Sequence, residues 1–184
     1  MLVRASLVVA FAAGVTAMST VMGNTTTVVN PPGPLTPPVE FQVYPAMPAY
    51  GGWCTHPEPV GFDVAVEDAA FEYGVDPWML AVTVHRESGC DPDARGLVGE
   101  IGLAQINPPV WMSALRDAGI VTRARDLYDV RTNLRAAAFI LREGHRAAAG
   151  SAYGAFRRYN GSGPKARQYA REQVAVYARV IDAR

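Results

Sequence analysis

The chain has 184 residues, room for one or two domains. Acidic and basic side chains balance at 17 each, which excludes a global field drawing the protein toward nucleic acid or an anionic surface. With 49% hydrophobic and 18% charged residues the chain is neither disordered nor collagen-like, and 2 cysteines exclude both a cysteine-dense scaffold and a zinc site closed by cysteine alone.

The N-terminus reads as an export signal over residues 1–17. Arg4 is the short positive region, Ala5 to Met18 are apolar or small, and Val15-Thr16-Ala17 has the small-x-small pattern that precedes a signal-peptidase cut. An uncleaved anchor is the competing reading, and Ser19, Thr20, Gly23 and Asn24 weaken it, because a membrane span needs roughly 20 apolar residues. Residues 18–60 form a proline-rich linker. Pro31-Pro32, Pro37-Pro38, Pro45 and Pro48 remove donors and fix φ, which predicts an extended spacer.

From Gly61 the pattern turns helical. Phe62, Val66, Ala69, Ala70 and Tyr73 recur at helical spacing, with Gly74 as a stop. Asp76-Pro77 is a cap followed by proline at the first helical position, which predicts a helix to about Ser88, ended by Gly89. Asn107-Pro108 opens another, closed near Gly119. A long helix follows Asp129, with Leu134, Ala138, Leu141, His145 and Ala148 on one stripe, a pattern that makes His145 a hydrogen-bonded core histidine. A short helix leads to Tyr159, and the last covers about Lys165 to Asp182, with Ala170, Val174, Tyr177 and Ile181 inward. Residues 61–184 are therefore expected to be one mainly α domain, long enough to bury a core unaided.

Charge is polarised along this domain. Residues 61–130 carry 5 bases and 12 acids, residues 131–184 carry 11 bases and 3 acids, and Lys165 is the only lysine. Arginine forks suit carboxylate or phosphate partners; the plainer reading is a set of solvated helix faces, some pairing with the acidic middle.

Glu87 stands out. It shares a helix face with Leu80, Thr83 and Val84, the stripe that should face the core. Burial there favours the neutral carboxyl and raises its pKa, as a general acid working near neutrality requires. A frayed helix end pointing to water is the alternative.

The surrounding blocks narrow the choice. Arg86-Glu87-Ser88-Gly89-Cys90-Asp91-Pro92 leads through Gly99-Glu100-Ile101-Gly102-Leu103-Ala104-Gln105-Ile106-Asn107-Pro108, and Tyr159-Asn160-Gly161-Ser162-Gly163-Pro164 follows. Together with Tyr73-Gly74-Val75-Asp76-Pro77 and the Asn133 helix, these blocks resemble the soluble lytic transglycosylase family over about residues 62–182. The resemblance implies a lysozyme-like helical domain and cleavage of the β-1,4 bond between N-acetylmuramic acid and N-acetylglucosamine in peptidoglycan, giving 1,6-anhydro-muramyl ends. It implies Glu87 as the single catalytic acid/base. It also implies Gln105, Tyr159 and Asn160 at the sugar, and Ser88 supporting the glutamate by hydrogen bonding. No cofactor is implied. Peptidoglycan glycan strands are the implied partner, with a secretion, conjugation or pilus assembly by analogy, and the implied location is the periplasm or cell exterior.

The chain departs from the family at two positions. Many relatives have a serine where Gly96 stands and a small residue where Glu100 stands. Glu100 is a candidate second acid that could activate water and make the protein a hydrolysing muramidase; otherwise it is an exposed loop acid. A non-catalytic peptidoglycan-binding component is the third reading. Cys54 and Cys90 either form a disulfide, closing a loop of roughly 36 residues worth about 4 kcal/mol in the chain-entropy model, or remain separate thiols. His56, His85 and His145 are scattered without metal-ligand spacing, so no metal is expected.

Overall fold

A computed structural model of the chain describes residues 8–12, 15–22, 25–29 and 54–182. It divides into two units, Met1–Val43 and Tyr44–Arg184. In the first, β1 (Val8–Ala12), β2 (Val15–Met22) and β3 (Thr25–Val29) form an antiparallel sheet in the order β1-β2-β3, with Val8 opposite Ser19 and Met18 opposite Val29. The sequence reading placed no strand here. An apolar export segment and a strand draw on the same residues, and the density of β-branched Val and Thr between Val8 and Val29 favours extended backbone. The rest of the expected signal, and the proline-rich stretch up to residue 53, lie outside the described residues.

The second unit is helical, as expected. Its elements are α1 (Phe62–Tyr73), α2 (Pro77–Ser88), α3 (Pro108–Asp117), a short 3-10 turn at Ala124–Tyr128, α4 (Val130–Ala147), α5 (Ala152–Asn160) and α6 (Gly163–Asp182). Local chemistry sets the starts. Asp76 accepts a 2.8 Å bond from the Trp78 amide ahead of Pro77, Asp129 accepts from the Thr132 amide at 2.8 Å, and Ser151 from that of Gly154 at 3.2 Å. Gly74 and Gly89 end α1 and α2 in left-handed conformation.

α4 packs on α1 and α5, and α6 packs on α5 and α2. Leu80, Val84, Leu103, Ile106, Leu115, Leu127, Leu134, Leu141 and Phe156 are fully enclosed where these helices meet. The first eight residues of α2 are all buried, so this helix runs through the centre of the domain rather than along its surface. Gln173 of α6, itself buried, donates to the Val82 carbonyl at 3.0 Å and sets the register of α6 on α2. His145 is only half-buried rather than a core residue, because it falls in the last turn of α4, where the helix emerges toward Gly150. Among the described residues no helix is long and apolar enough to cross a membrane.

Candidate active site

Glu87 occupies the last turn of α2 and is half-buried. Its Oε1 accepts a 2.6 Å hydrogen bond from the Tyr169 hydroxyl of α6. Burial pushes its carboxyl above the usual range, and the negative charge of Glu100 adds to that. The Tyr169 hydroxyl and the positive charge of Arg86 pull the other way without cancelling it. The Tyr169 phenol is pushed well up, by burial first and then by the charge of Glu87, so it stays a donor. The Gln173 bond to α2, one turn further along, aligns this pair; outside it Arg86 and Glu172 meet at 2.8 Å in an exposed ion pair.

The loop from Ala94 to Ile106 lies against the end of α2 through Ser88. Ile101 bridges Arg95 on one side and Ile106 on the other, making a narrow hairpin-like platform. Three side chains from three helices hold its backbone. Ser88 donates to the Leu103 carbonyl at 2.6 Å, and Tyr159 donates to the Ala104 carbonyl at 2.7 Å. Buried Asn133 donates to the carbonyls of Ile101 at 2.9 Å and Leu127 at 2.7 Å, and accepts from the Ala104 amide at 2.9 Å. Gly102 must be glycine here: its φ is 74°, and a Cβ would strike the Asn133 amide and lie 2.7 Å from the Leu127 carbonyl.

Gln105 sits at the rim with φ 47°, its Nε2 donating to the carbonyls of Gly102 at 2.9 Å and Ala94 at 3.2 Å. The enclosed Tyr159 phenol is held well above its ordinary pKa, by burial and then by the Glu87 charge. Asn160 closes α5 and is exposed.

The fold thus brings Ser88, Gln105 and Tyr159 onto the backbone of the turn at residues 102–104, with the Glu87 charge felt at the Tyr159 phenol. The Ser88 hydroxyl does not reach the Glu87 carboxylate. It bonds the Leu103 and Val84 carbonyls and accepts from the Asp91 amide, tying α2 to the platform. Glu100 is half-buried rather than an open loop acid. Its Oε2 accepts from the Val98 amide at 3.1 Å and lies over Gly96, where any Cβ would collide with it. The Glu100 side chain thus fills the space that the missing side chain of Gly96 leaves.

Sequence reasoning overlooked Tyr169. Its signal was faint: a tyrosine on an apolar helix face, whose hydroxyl must find a partner once buried. Among the described residues no group of three His, Cys, Asp or Glu side chains is placed to hold a metal ion.

Comparison with known proteins gives the family and the fold. The family described as the transglycosylase SLT domain matches residues 65–179. A solved structure of an inactive glutamate-to-glutamine mutant of the lytic transglycosylase Slt from Pseudomonas aeruginosa superposes with a TM-score of 0.59 at 21% identity, covering 68% of this chain and 25% of that one. This chain thus spans about a quarter of that protein's length. No curated protein sequence matches. The likeness to Slt is one of fold, and it makes the helical unit a lysozyme-like domain. Since the family match extends over more than half of the chain and encloses Glu87, Gln105, Tyr159 and Tyr169, the chain belongs to the transglycosylase SLT domain family.

Proposed function

We propose that this protein is an exported peptidoglycan lytic transglycosylase in which Glu87 is the one acid/base. The observation that carries the reading is the pairing of a partly buried carboxyl, its pKa raised, with the hydroxyl donor of Tyr169. Protonated Glu87 delivers its proton to the oxygen linking N-acetylmuramic acid to N-acetylglucosamine, and the C–O bond breaks toward the departing sugar. The resulting carboxylate, steadied by the Tyr169 hydroxyl, takes the proton of the muramic C6 hydroxyl. That oxygen closes on the anomeric carbon and forms the 1,6-anhydro ring without water. A positioned acid of this kind is worth roughly 10²–10⁴-fold in rate. Gln105 offers its Oε1 to an N–H of the substrate, and Asn160 its exposed amide. Tyr159 and Ser88 act by holding the platform.

Family membership supports peptidoglycan as the substrate and the cell envelope as the place of action. Local opening of the wall for an envelope-spanning machine would suit a domain this small. One observation favours a second reading: the charge of Glu100 acts on Glu87, and a hydrolysing muramidase would need a second acid of this kind.

Mass spectrometry of products from digested sacculi tests both. Anhydro-muramyl ends are expected, and Glu87→Gln should release none. Reducing ends that disappear in Glu100→Gln would establish the hydrolase instead. Binding to sacculi with no release by the wild type would leave a binding component.

A further inference from the structure

The end of α2, two residues beyond Glu87, is gripped by a segment far away in the chain. The Gly89 carbonyl accepts from the Thr55 amide at 3.1 Å, the His56 amide at 3.0 Å and the Thr55 hydroxyl at 3.4 Å. Gly89 has φ 63°, and its missing Cβ makes the room that the Thr55 side chain fills. The next residue, Cys90, is bonded to Cys54 through a disulfide and has φ 74°, a left-handed backbone unfavourable for a residue with a Cβ. Helix ends leave carbonyls without intrahelical donors. Here a covalently fastened strap supplies them, immediately after the residue that carries the chemistry.

We propose that Cys54, Thr55 and His56 form a positioning strap that aligns Glu87 with the Gln105 platform only while the Cys54–Cys90 disulfide is closed, so that turnover follows the thiol–disulfide state of the surroundings. The inference rests on the reading of Glu87 as the acid/base. Reduction by a dithiol converts the S–S bond into two S–H groups, while the reductant closes its own disulfide. Cys90 is then free to leave its strained φ, the two amides are no longer held to the Gly89 carbonyl, and the last turn of α2 frays. Cys90 and Cys54 pack at the edge of the core, and the buried run from Pro77 to Val84 is expected to keep the domain folded after reduction. A displacement of about 1 Å at a catalytic group can cost as much as 10²-fold in rate. The strapped state belongs to an oxidising compartment, where such bonds persist.

The full chain is assayed on soluble glycan strands in oxidised form, after complete reduction by dithiothreitol, and as the Cys54→Ser/Cys90→Ser double variant, with melting followed by circular dichroism. Reduced and double-variant proteins are expected to lose roughly tenfold or more in kcat with KM unchanged, while melting cooperatively above the assay temperature. Reoxidation should restore the wild type alone. Unchanged kcat with both thiols titrated overturns the proposal. So does a loss confined to KM, or unfolding below the assay temperature, since the bridge would then be a plain structural staple. Glu87→Gln separates the two levels. If that variant is inactive and reduction has no effect, only the strap falls; if it turns over like the wild type, the acid/base reading falls and takes the strap with it.

Discussion

Glu87 is destabilising where it sits, and that follows from its pKa. Its folded-state value is raised above that of the unfolded chain, so the native state holds the proton more tightly. Stability is then fullest below the ordinary glutamate range and declines as pH rises through the window up to the raised value. Glu87→Gln, neutral at every pH, should therefore melt a few degrees higher than the wild type at pH 7 and lose that advantage near pH 4, as scanning calorimetry can check. An equal advantage at both pH values would mean that the carboxyl is as well solvated as in the unfolded chain. Tyr169→Phe acts on the same group in the other direction. The tyrosine hydroxyl favours the charged carboxylate, so its loss should raise the Glu87 pKa further. The alkaline limb of the pH–rate profile should move to higher pH, with a loss of several-fold in kcat because the carboxylate loses its fixed donor. A limb that stays in place would detach Tyr169 from the chemistry.

Among elements, the Ala94–Ile106 platform depends most on others. It contributes little apolar surface of its own beyond Ile101, Leu103 and Ile106, and its backbone groups are satisfied by side chains of α2, α4 and α5. Asn133→Ala would orphan two carbonyls and an amide in the interior. We expect a cost of about 3 kcal/mol in urea unfolding, together with loss of turnover, because Gln105 would no longer be held at the rim. Asn133→Asp should be nearly as damaging, since it keeps the acceptor for the Ala104 amide but faces two carbonyls with no donor. The α1–α4 contact behaves differently. Its Arg135–Glu72 and Arg131–Asp68 pairs are partly or well exposed, so removing either arginine should change stability by less than about 1 kcal/mol.

For the whole molecule, the acidic middle and basic end answer each other only in part. Arg131 pairs with Asp68, Arg135 with Glu72 and Arg86 with Glu172, joining the two stretches across helices. Arg157, Arg158, Lys165, Arg167 and Arg171 on α5 and α6 are exposed and form no ion pair among the described residues. Peptidoglycan stem peptides carry carboxylates, so binding to sacculi should weaken when salt rises from 50 to 200 mM, as screening shortens from about 14 to 7 Å. Charge reversal at Arg167 and Arg171 should weaken binding at low salt and leave turnover of short soluble glycans unchanged. Salt-independent pelleting would assign these arginines to solvation alone.

The amino-acid order alone determined the local elements. Asp76 before Pro77, Asp129 before its helix, and Gly74 and Gly89 at the ends act within a few residues, and so are legible without a fold. The burial of Glu87 was also legible, because helical spacing from Leu80 and Val84 dictates its face. Two cysteines in an apparent export context allowed a bridge, and the structure has it. Tertiary packing decided the rest. Periodicity tells which face of a helix turns inward but not which side chain it will meet. Tyr169 reaches Glu87 across 82 positions only because Gln173 sets α6 on α2, and Asn133 reaches the platform because α4 passes beneath it. Ser88 was read as a partner for the glutamate and instead fastens the platform, since the Leu103 carbonyl lies within its reach. The half-buried Glu100 side chain occupies the space left by the bare backbone of Gly96, a complementarity that no single position reveals.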